Sequence, residues 1–333
     1  MAALSKTQGL LFMIVGPPGV GKNALMEEAL KSEHRLNQLA TATTRPRRPY
    51  EQEGRERLFV TIEQFRQMIA NGELLEWQEV HRNKFYGVPR QVVENALAEG
   101  QNLIADIDVL GATYIRSLYP ENTVLIFVKP PSVEALEDRM HVRGESEEDI
   151  QTRLSRVAME MDYLPVADYI VVNDDFEQAA RQFQALITSE IERQLENRPV
   201  NRRYTHAVSV LPVYDQEVLC RPNPPRYPHT YLQPREIPHI AALRVMEETF
   251  AIAPSVNHLL RIKRNAGSFI SPVEVTVRTE GTTKHITFTY VYLLPQRLSP
   301  PDDWMWQPAN EEILTSMDRE VEQTWEQLIP NHS

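Results

Sequence analysis

The sequence is poor in cysteine and in long apolar runs. Cys220 is the single cysteine among 333 residues, so an internal disulfide is excluded and a reducing compartment is favoured. The longest apolar stretches are far too short to span a membrane, and the first residues lack the pattern of a signal peptide. The sequence therefore predicts a cytoplasmic protein without a membrane partner.

Positive charge is also scarce, and glycine is scarce in one half of the chain. The net charge of −11 at pH 7 argues against a general nucleic-acid-binding protein, which needs a basic surface. Of the 12 glycines, only Gly267 and Gly281 lie beyond residue 200, whereas more than half of the 24 prolines lie there. This shift predicts a boundary between a domain of residues 1–197 and a domain of residues 203–333.

The most informative stretch is a glycine-rich motif near the N-terminus. Residues 10–15 are all apolar and predict a strand buried on both faces, and residues 24–31 carry apolar side chains at helical spacing. Between them lies Gly-x-x-x-x-Gly-Lys, the phosphate loop, whose N–H groups and lysine bind nucleotide phosphates. We therefore expect ATP binding, with ligands Gly16, Pro17, Pro18, Gly19, Val20, Gly21, Lys22 and Asn23.

Magnesium is the expected cofactor of such a loop. Asn23 stands where Ser or Thr normally ligates Mg²⁺, but an Asn carbonyl oxygen can also do so directly or through water. Residues 102–108 predict a second buried strand that ends in acids. An aspartate at such a strand end organises Mg²⁺ and its waters, and Asp106 is the expected residue. Asp108 is the alternative, or it caps the helix predicted from residue 111.

An arginine-rich stretch at residues 40–49 offers forked donors suited to a phosphate, although an ordinary solvated turn would look the same. The following motifs give the stretch its context. Residues 43–49, 59–61, 73–77 and 86–87 resemble guanylate kinase, in order and at nearly its spacing. The resemblance covers about residues 8–192. It implies an ATP-dependent kinase that converts GMP to GDP, with helices on both faces of a parallel sheet and a small nucleotide-binding β insertion.

The resemblance implies a set of acceptor-binding residues: Thr41, Arg45, Arg48, Arg57, Glu76, Tyr86 and Asp106. Arg45, Arg48 and Tyr86 match the positions that hold the phosphate of GMP. Thr41 and Glu76 match those that read the guanine edge, where a carboxylate can accept from the ring N–H and the 2-amino group. For Glu76 alone, a solvent-facing strand position is the alternative.

On the donor side, the resemblance places Arg139 against adenine and Asn173 near the nucleotide base. Arg143 and Arg153 match lid arginines that close on the transferring phosphoryl group, although salt bridges on a helix surface are the alternative. Preorganised cations stabilise the spread negative charge of a loose phosphoryl transition state. The expected catalytic residues are Lys22, Arg45, Arg143 and Arg153.

Two positions depart from the family pattern. Arg57 stands where the family has a phosphate-binding tyrosine, and it could bind phosphate by charge instead. Val88 replaces a Ser or Thr that helps to read the base, and the missing hydroxyl weakens discrimination. A kinase for a modified nucleotide or a ribose bisphosphate is therefore an alternative. A non-catalytic nucleotide-binding regulatory protein is another, although such a protein has no need of all four of Lys22, Arg45, Asp106 and Arg143.

The second domain is predicted to be α+β, with a hairpin at 205–214 and 217–220, a helix at 241–252, strands at 272–278 and 285–294, and a helix at 309–328. Residues 241–252 are similar to the Nudix hydrolase box. Glu248 keeps one metal carboxylate of that box, but Val245 and Thr249 replace two others. One carboxylate is too few to hold Mg²⁺. We expect a degenerate Nudix-like domain for dimerisation, regulation or substrate capture, and a homodimer as one partner.

Overall fold

The computed structural model describes residues 8–47, 51–55, 57–81, 84–142, 163–196, 203–215, 217–222, 225–233, 236, 238–259, 274–281, 283–301 and 303–308, together with 144, 146, 147, 150, 151, 154, 157, 160 and 161. The chain divides near residue 200 into two compact units. Among the described residues, no helix combines the length and the apolar character that a membrane span requires.

Within these ranges the helices are α1 (Lys22–Ser32), α2 (Ile62–Ala70), α3 (Arg90–Glu99), α4 (Val109–Leu118), α5 (Val133–Val142), α6 (Phe176–Leu195) and α7 (Pro238–Phe250). The strands of the first unit are β1 (Leu11–Val15), β2 (Leu36–Gln38), β3 (Thr41–Thr43), β4 (Arg57–Phe59), β5 (Leu74–His81), β6 (Lys84–Pro89), β7 (Asn102–Asp106), β8 (Thr123–Lys129) and β9 (Tyr169–Val172). The strands of the second unit are β10 (Arg203–Tyr214), β11 (Glu217–Cys220), β12 (His229–Tyr231), β13 (Glu274–Glu280), β14 (Thr283–Leu293) and β15 (Met305–Pro308).

The first unit is built on a five-stranded parallel sheet in the order β2-β7-β1-β8-β9. Strand β1 is buried along its whole length, as its unbroken apolar run predicts. Phe12 and Ile14 of β1 pack in one core with Leu25 of α1 and Phe183 of α6. Helix α4 also packs against β1 and β8. The predicted parallel α/β sheet is thus confirmed, and it places the loop after β1 at the carboxyl edge of the sheet.

A smaller four-stranded sheet, in the order β4-β3-β6-β5, forms the predicted β insertion. It has a small core of its own, in which Phe65 of α2 packs with Phe85 and Leu74. Helix α2 is anchored by a capping box in which the Thr61 and Gln64 side chains bond each other's backbone N–H groups. Each strand of this sheet carries one of the expected acceptor residues, at Thr41, Arg57, Glu76 and Tyr86.

Several strand boundaries predicted from the sequence were wrong, and helix caps explain most of the differences. Strand β7 ends two residues earlier than expected because Asp108 caps α4, its Oδ1 accepting from the N–H of Leu110 at 2.9 Å. Strands β4 and β9 likewise end just before Thr61 and Asp175, which cap the helices that follow. The arginine-rich stretch at 40–49 contributes strand β3, which is held between β4 and β6.

The second unit is an α+β domain around a six-stranded sheet in the order β13-β14-β10-β11-β15, with β12 on β10. Strands β10 and β14 run parallel from the pair 203/283 to the pair 213/293. Strands β10 and β11 form the predicted hairpin, with Asp215 at a φ of 54° in its turn. Helix α7 ends at Phe250 rather than at residue 252, because Ala251 adopts a left-handed φ of 52°. The helix predicted at 309–328 lies outside the described residues.

Candidate active site

The phosphate loop joins β1 to α1 with three glycines at positive φ: 131° at Gly16, 88° at Gly19 and 98° at Gly21. At Gly16 a Cβ atom would lie 2.1 Å from the carbonyl oxygen of Val128, so glycine is required there. The Lys22 ammonium folds back over the loop and donates to the carbonyl oxygens of Gly16 and Pro17 at 2.6 and 3.1 Å. The loop is therefore closed and rigid in the geometry that lets its N–H groups face an anion.

Asn173 and Arg139 brace this loop from behind. The Asn173 side chain is buried and donates from Nδ2 to the carbonyl oxygen of Val20 at 2.7 Å. Arg139 Nη2 donates to the carbonyl oxygen of Asn173 at 2.9 Å. A Cβ atom at Gly21 would lie 2.4 Å from Asn173 Nδ2. The structure thus brings both residues expected near the adenine base to the phosphate loop, with Asn173 in direct contact.

A cavity of 630 Å³ lies in the first unit between the phosphate loop, the end of β7 and the small sheet. Its lining includes most of the expected site residues that the structure describes: Gly16, Pro18, Gly19, Gly21, Lys22, Asn23, Thr41, Arg45, Arg57, Glu76, Tyr86 and Asp106. It also includes Asp108, the alternative to Asp106, and residues that were not expected: Ala24, Glu27, Glu51, Gln78, Gly87, Ile107 and Glu160. Residues expected to bind ATP and residues expected to bind the phosphoryl acceptor therefore line one cavity.

Three expected residues, Arg48, Arg143 and Arg153, lie outside the described residues. Val88 is described and is fully buried, and it does not line the cavity, which passes along Tyr86 and Gly87 instead. A Ser or Thr hydroxyl at position 88 would therefore lie in the protein interior and not in the cavity wall.

Arg45 is held by a carboxylate that the sequence analysis missed. Its guanidinium makes a two-pronged ion pair with Glu51, with Nη1 donating to Oε2 at 2.7 Å and Nη2 donating to Oε1. The guanidinium carbon also lies 5.6 Å from the ring centre of Phe59. The Glu51 hydrogen bonds raise the pKa of Arg45 further. A carboxylate six residues after Arg45, in an arginine-rich stretch, was the available signal for this pair.

Arg57 lies beside Thr41, its partner in the parallel pair of β3 and β4. Its Nη1 donates to Thr41 Oγ1, and its guanidinium carbon is 5.8 Å from the ring centre of Tyr86. Burial lowers the pKa of Arg57, and the positive charge of Arg45 lowers it further, while the nearby charge of Asp106 opposes both effects. Thr41, Arg57, Glu76 and Tyr86 form the side of the cavity expected to bind the phosphoryl acceptor, called here the acceptor wall. Arg57 contributes N–H hydrogen-bond donors to this wall.

Glu76 is buried, with 3% of its surface exposed, yet it lines the cavity. Burial raises the pKa of Glu76 from 4.5 to about 8, the charge of Asp108 adds to the rise, and a hydrogen bond from Gln78 partly offsets it. Gly111 of α4 makes room for this side chain, because a Cβ atom there would lie 2.8 Å from Glu76 Oε2. No sequence motif marked Gly111, since its function depends on a contact between distant elements.

Two oxygen-bearing side chains flank Lys22 at the end of the cavity nearest the phosphate loop. Asp106, at the carboxyl end of β7, places its Oδ1 3.7 Å from Lys22 Nζ. Asn23, exposed in the first turn of α1, lines the same cavity. Asp108 instead caps α4, as its alternative interpretation predicted, and accepts from Gln78 Nε2 at 3.5 Å. The roles of Asp106 and Asn23 as Mg²⁺ ligands stay predictions.

The second unit contains the expected Nudix-like helix, but its one retained carboxylate is engaged. Glu248 pairs with Arg244 at 3.2 Å, and Arg244 also bonds Glu236 at 2.8 and 2.9 Å. The Glu236 hydrogen bonds raise the pKa of Arg244. Across the part of the chain that the structure describes, no three His, Cys, Asp or Glu side chains cluster as metal ligands.

Comparison with known proteins gives a clear result for the first unit. The guanylate kinase family model matches residues 8–190. The guanylate kinase of Thermotoga maritima is 38% identical over 198 residues, which are 59% of this chain and 95% of that enzyme. A crystal structure of guanylate kinase from Anaplasma phagocytophilum is 30% identical, with a TM-score of 0.45, and covers 56% of this chain and 87% of that one.

The second unit has a more distant counterpart among solved structures. A crystal structure of a Nudix-family hydrolase from Clostridium perfringens is 17% identical, with a TM-score of 0.28. The match covers 38% of this chain and 99% of that one.

Proposed function

The chain belongs to the guanylate kinase family, and we propose that it converts GMP to GDP. It is a nucleoside monophosphate kinase with ATP as phosphoryl donor. The observation that carries this proposal is the shared cavity of 630 Å³. Lys22 and Asp106 lie at one end, and Thr41, Arg57 and Glu76 line the small sheet. This arrangement suits two nucleotides whose phosphates meet between the two groups of residues.

Glu76 gives the acceptor pocket its preference for guanine. In its ionised form the side chain is an acceptor only, and it can take the ring N–H and the 2-amino group of guanine as two donors. Adenine offers no N–H at the corresponding ring position, so the same carboxylate would face a nitrogen lone pair. Because the group is buried, such a mismatch would leave part of its hydrogen-bonding capacity unsatisfied and cost affinity.

The acceptor phosphate meets cations from the small sheet. Arg57 faces the cavity next to Tyr86, and Arg45 lies beside them in its pair with Glu51. Both guanidinium groups carry N–H donors in a fixed fork, and phosphate oxygens are well matched to that geometry. We propose that Arg45, Arg57 and Tyr86 bind this phosphate, and that Arg48 joins them as the resemblance implies.

Transfer requires the γ-phosphoryl group of ATP to approach the acceptor phosphate with its charge stabilised. The phosphate loop N–H groups and Lys22 hold the β- and γ-phosphates, and Lys22 leaves its two loop carbonyls to do so. We propose that Arg139 and Asn173 support the adenine end, from their positions behind the loop. Arg143 and Arg153 would close on the transferring group as the resemblance implies.

Mg²⁺ is the proposed cofactor, and the oxygen donors present fit it. Mg²⁺ in kinases takes few protein ligands and completes its shell with water and phosphate oxygens. One carboxylate, Asp106, and one amide oxygen, Asn23, border the cavity beside Lys22, which suits such a partly hydrated ion. When bound, the ion supplies neutralisation of charge on the β- and γ-phosphates.

The test is a coupled assay of ADP release with GMP, dGMP, AMP, UMP and ribose bisphosphate as acceptors. We expect turnover to be fastest with GMP and to fall about a hundredfold or more in Lys22→Ala, which removes a preorganised cation. Lys31→Ala, on the exposed side of the same helix, is the matched control and should keep wild-type activity. Preference for another acceptor, or turnover that survives in Lys22→Ala, would contradict the proposal.

For the second part of the chain we propose a separate domain of residues 203–333 after a first domain of 1–197, with a role in homodimerisation. The division into two compact units near residue 200 supports the boundary. Sedimentation of the full chain and of a fragment that ends at residue 197 tests both ideas. A full chain that sediments as a monomer, or a fragment that dimerises, would contradict the dimer through the second domain.

A further inference from the structure

Arg57 and Thr41 form a directed hydrogen bond on the acceptor wall of the cavity. The two residues are paired across strands β3 and β4, and Arg57 Nη1 donates to Thr41 Oγ1. The Arg57 guanidinium also lies over the ring of Tyr86, at 5.8 Å, which limits its movement. Thr41 is 3% exposed, and both side chains line the cavity. The pair is therefore built into the wall rather than free in solvent.

The chemistry of the pair fixes the direction of the Thr41 hydroxyl. A guanidinium carries five N–H donors and no acceptor, so the Thr41 oxygen must accept in this bond. The hydroxyl proton then points away from Arg57 and is available for donation to another group. The tyrosine that the family has at this position would not impose that direction, because a phenol can donate or accept.

We propose that Arg57 is a positioning residue for base specificity, which holds the Thr41 hydroxyl as a hydrogen-bond donor toward the 6-oxo group of the purine. This inference rests on GMP as the proposed acceptor. Guanine presents a carbonyl oxygen at position 6, whereas adenine presents an amino donor there. A hydroxyl that is fixed as a donor donates to the guanine carbonyl oxygen, but it meets the adenine amino group donor to donor. Glu76 and Thr41 would thus read adjacent groups of the same edge.

Arg45 provides the matched control for this function. It is a second guanidinium in the cavity wall, but its two-pronged bond goes to Glu51 rather than to Thr41. Removing Arg45 therefore lowers phosphate binding without freeing the Thr41 hydroxyl. Removing Arg57 lowers phosphate binding and also frees the hydroxyl to accept. Only the second change alters which base is preferred.

The experiment measures kcat/KM for three acceptors that share one phosphate and one ribose, so that phosphate effects cancel in the ratios. GMP has the 6-oxo and 2-amino groups, IMP lacks the 2-amino group, and 6-thio-GMP has a sulfur atom, a weak acceptor, in place of the 6-oxo oxygen. The enzymes are the wild type, Arg57→Met, Arg57→Lys, Thr41→Val, Arg45→Met and the double variant Arg57→Met/Thr41→Val. Circular dichroism and thermal melting establish that each variant is folded.

We expect Arg57→Met to lower the ratio of GMP to 6-thio-GMP about tenfold, the value of one oriented hydrogen bond, and to leave the ratio of GMP to IMP unchanged. Arg57→Lys should restore part of the first ratio because it returns a donor. Thr41→Val should lower that ratio as much as Arg57→Met, and the double variant should lower it no further. Arg45→Met should reduce all three kcat/KM values by one common factor.

A common reduction of all three values in Arg57→Met would overturn the inference and leave Arg57 as a phosphate ligand only. If Arg57→Met does not fold, Thr41→Val and Arg57→Lys decide, because a wild-type ratio in Thr41→Val overturns the inference equally well. Failure of the proposed function looks different. In that case the wild-type enzyme itself shows no preference for GMP over AMP.

Discussion

The buried carboxyl of Glu76 predicts that affinity for GMP rises steeply between pH 6.5 and 8.5. Its pKa is raised to about 8 by burial and by the charge of Asp108. With that pKa, about 3% of the Glu76 side chains are ionised at pH 6.5 and about 76% at pH 8.5. If only the ionised form accepts the two guanine donors, kcat/KM for GMP increases about 25-fold across this interval.

The assay is the pH dependence of kcat/KM for GMP at saturating ATP, which reports ionisations of the enzyme with the acceptor site empty. The second ionisation of the GMP phosphate, near pH 6, contributes a factor of only about 1.3 over the same interval. The Glu76→Gln enzyme is the matched control, because its amide cannot titrate. We expect a lower but flat profile from that variant.

A wild-type profile that is flat from pH 6.5 to 8.5 would refute this reasoning, since Glu76 would then be ionised throughout. Stability offers a second measurement. The folded state holds a proton that the unfolded chain releases above pH 4.5, so the stabilisation is complete below that pH and is lost as the pH rises through about 8. The free energy of unfolding should therefore fall with pH across this window, and Glu76→Gln should remove that slope.

Three further substitutions test other parts of the first unit. Gly111→Ala should leave the melting temperature equal or higher, because alanine favours helices. It should raise the KM for GMP about tenfold, because the added methyl group displaces Glu76. Unchanged kinetics would contradict the close contact between Gly111 and Glu76. Arg116→Met should lower the free energy of unfolding, measured by urea denaturation, by about 3–5 kcal/mol, because Arg116 and Asp168 form a fully buried ion pair at 2.5 Å. A loss of less than about 1 kcal/mol would contradict a stabilising function of this pair. Asn23→Ser should lower the Kd for Mg-ATP severalfold in calorimetry, with no change in the Kd for ATP in EDTA as the control.

The sequence was most informative where a local pattern has one structural solution. The apolar run before Gly16, together with the helical spacing after it, predicted β1, the phosphate loop and α1. Residues 176–195 also predict one helix from the sequence alone, and α6 occupies that range. Asp108 was expected either to cap a helix or to help a metal, and the structure shows the cap. In each case the residues that define the element are neighbours in the chain.

Contacts between distant elements could not be predicted in the same way. Strands β2 and β3 have three residues each, which is too short for a periodic signal. Gly111 matters because Glu76 of β5 lies against it, 35 positions earlier in the sequence. Glu51 has a weak signal, a carboxylate in an arginine-rich stretch, but its pairing with Arg45 follows from the fold of the loop between β3 and β4. Such contacts become visible only when the strands are in register.

The central pair of the second unit has a consequence for how the chain folds. Strand β10 bonds β14 in parallel along its length, with partners such as Thr205 and His285 that are 80 residues apart. The chain loses the conformational entropy of this long loop before the hydrogen bonds between β10 and β14 form. This order of events slows folding. On the ribosome, β10 emerges long before β14 and waits with one edge uncovered. The first unit makes the same demand, because Leu11 of β1 finds its parallel partners only at Leu103 and Thr123.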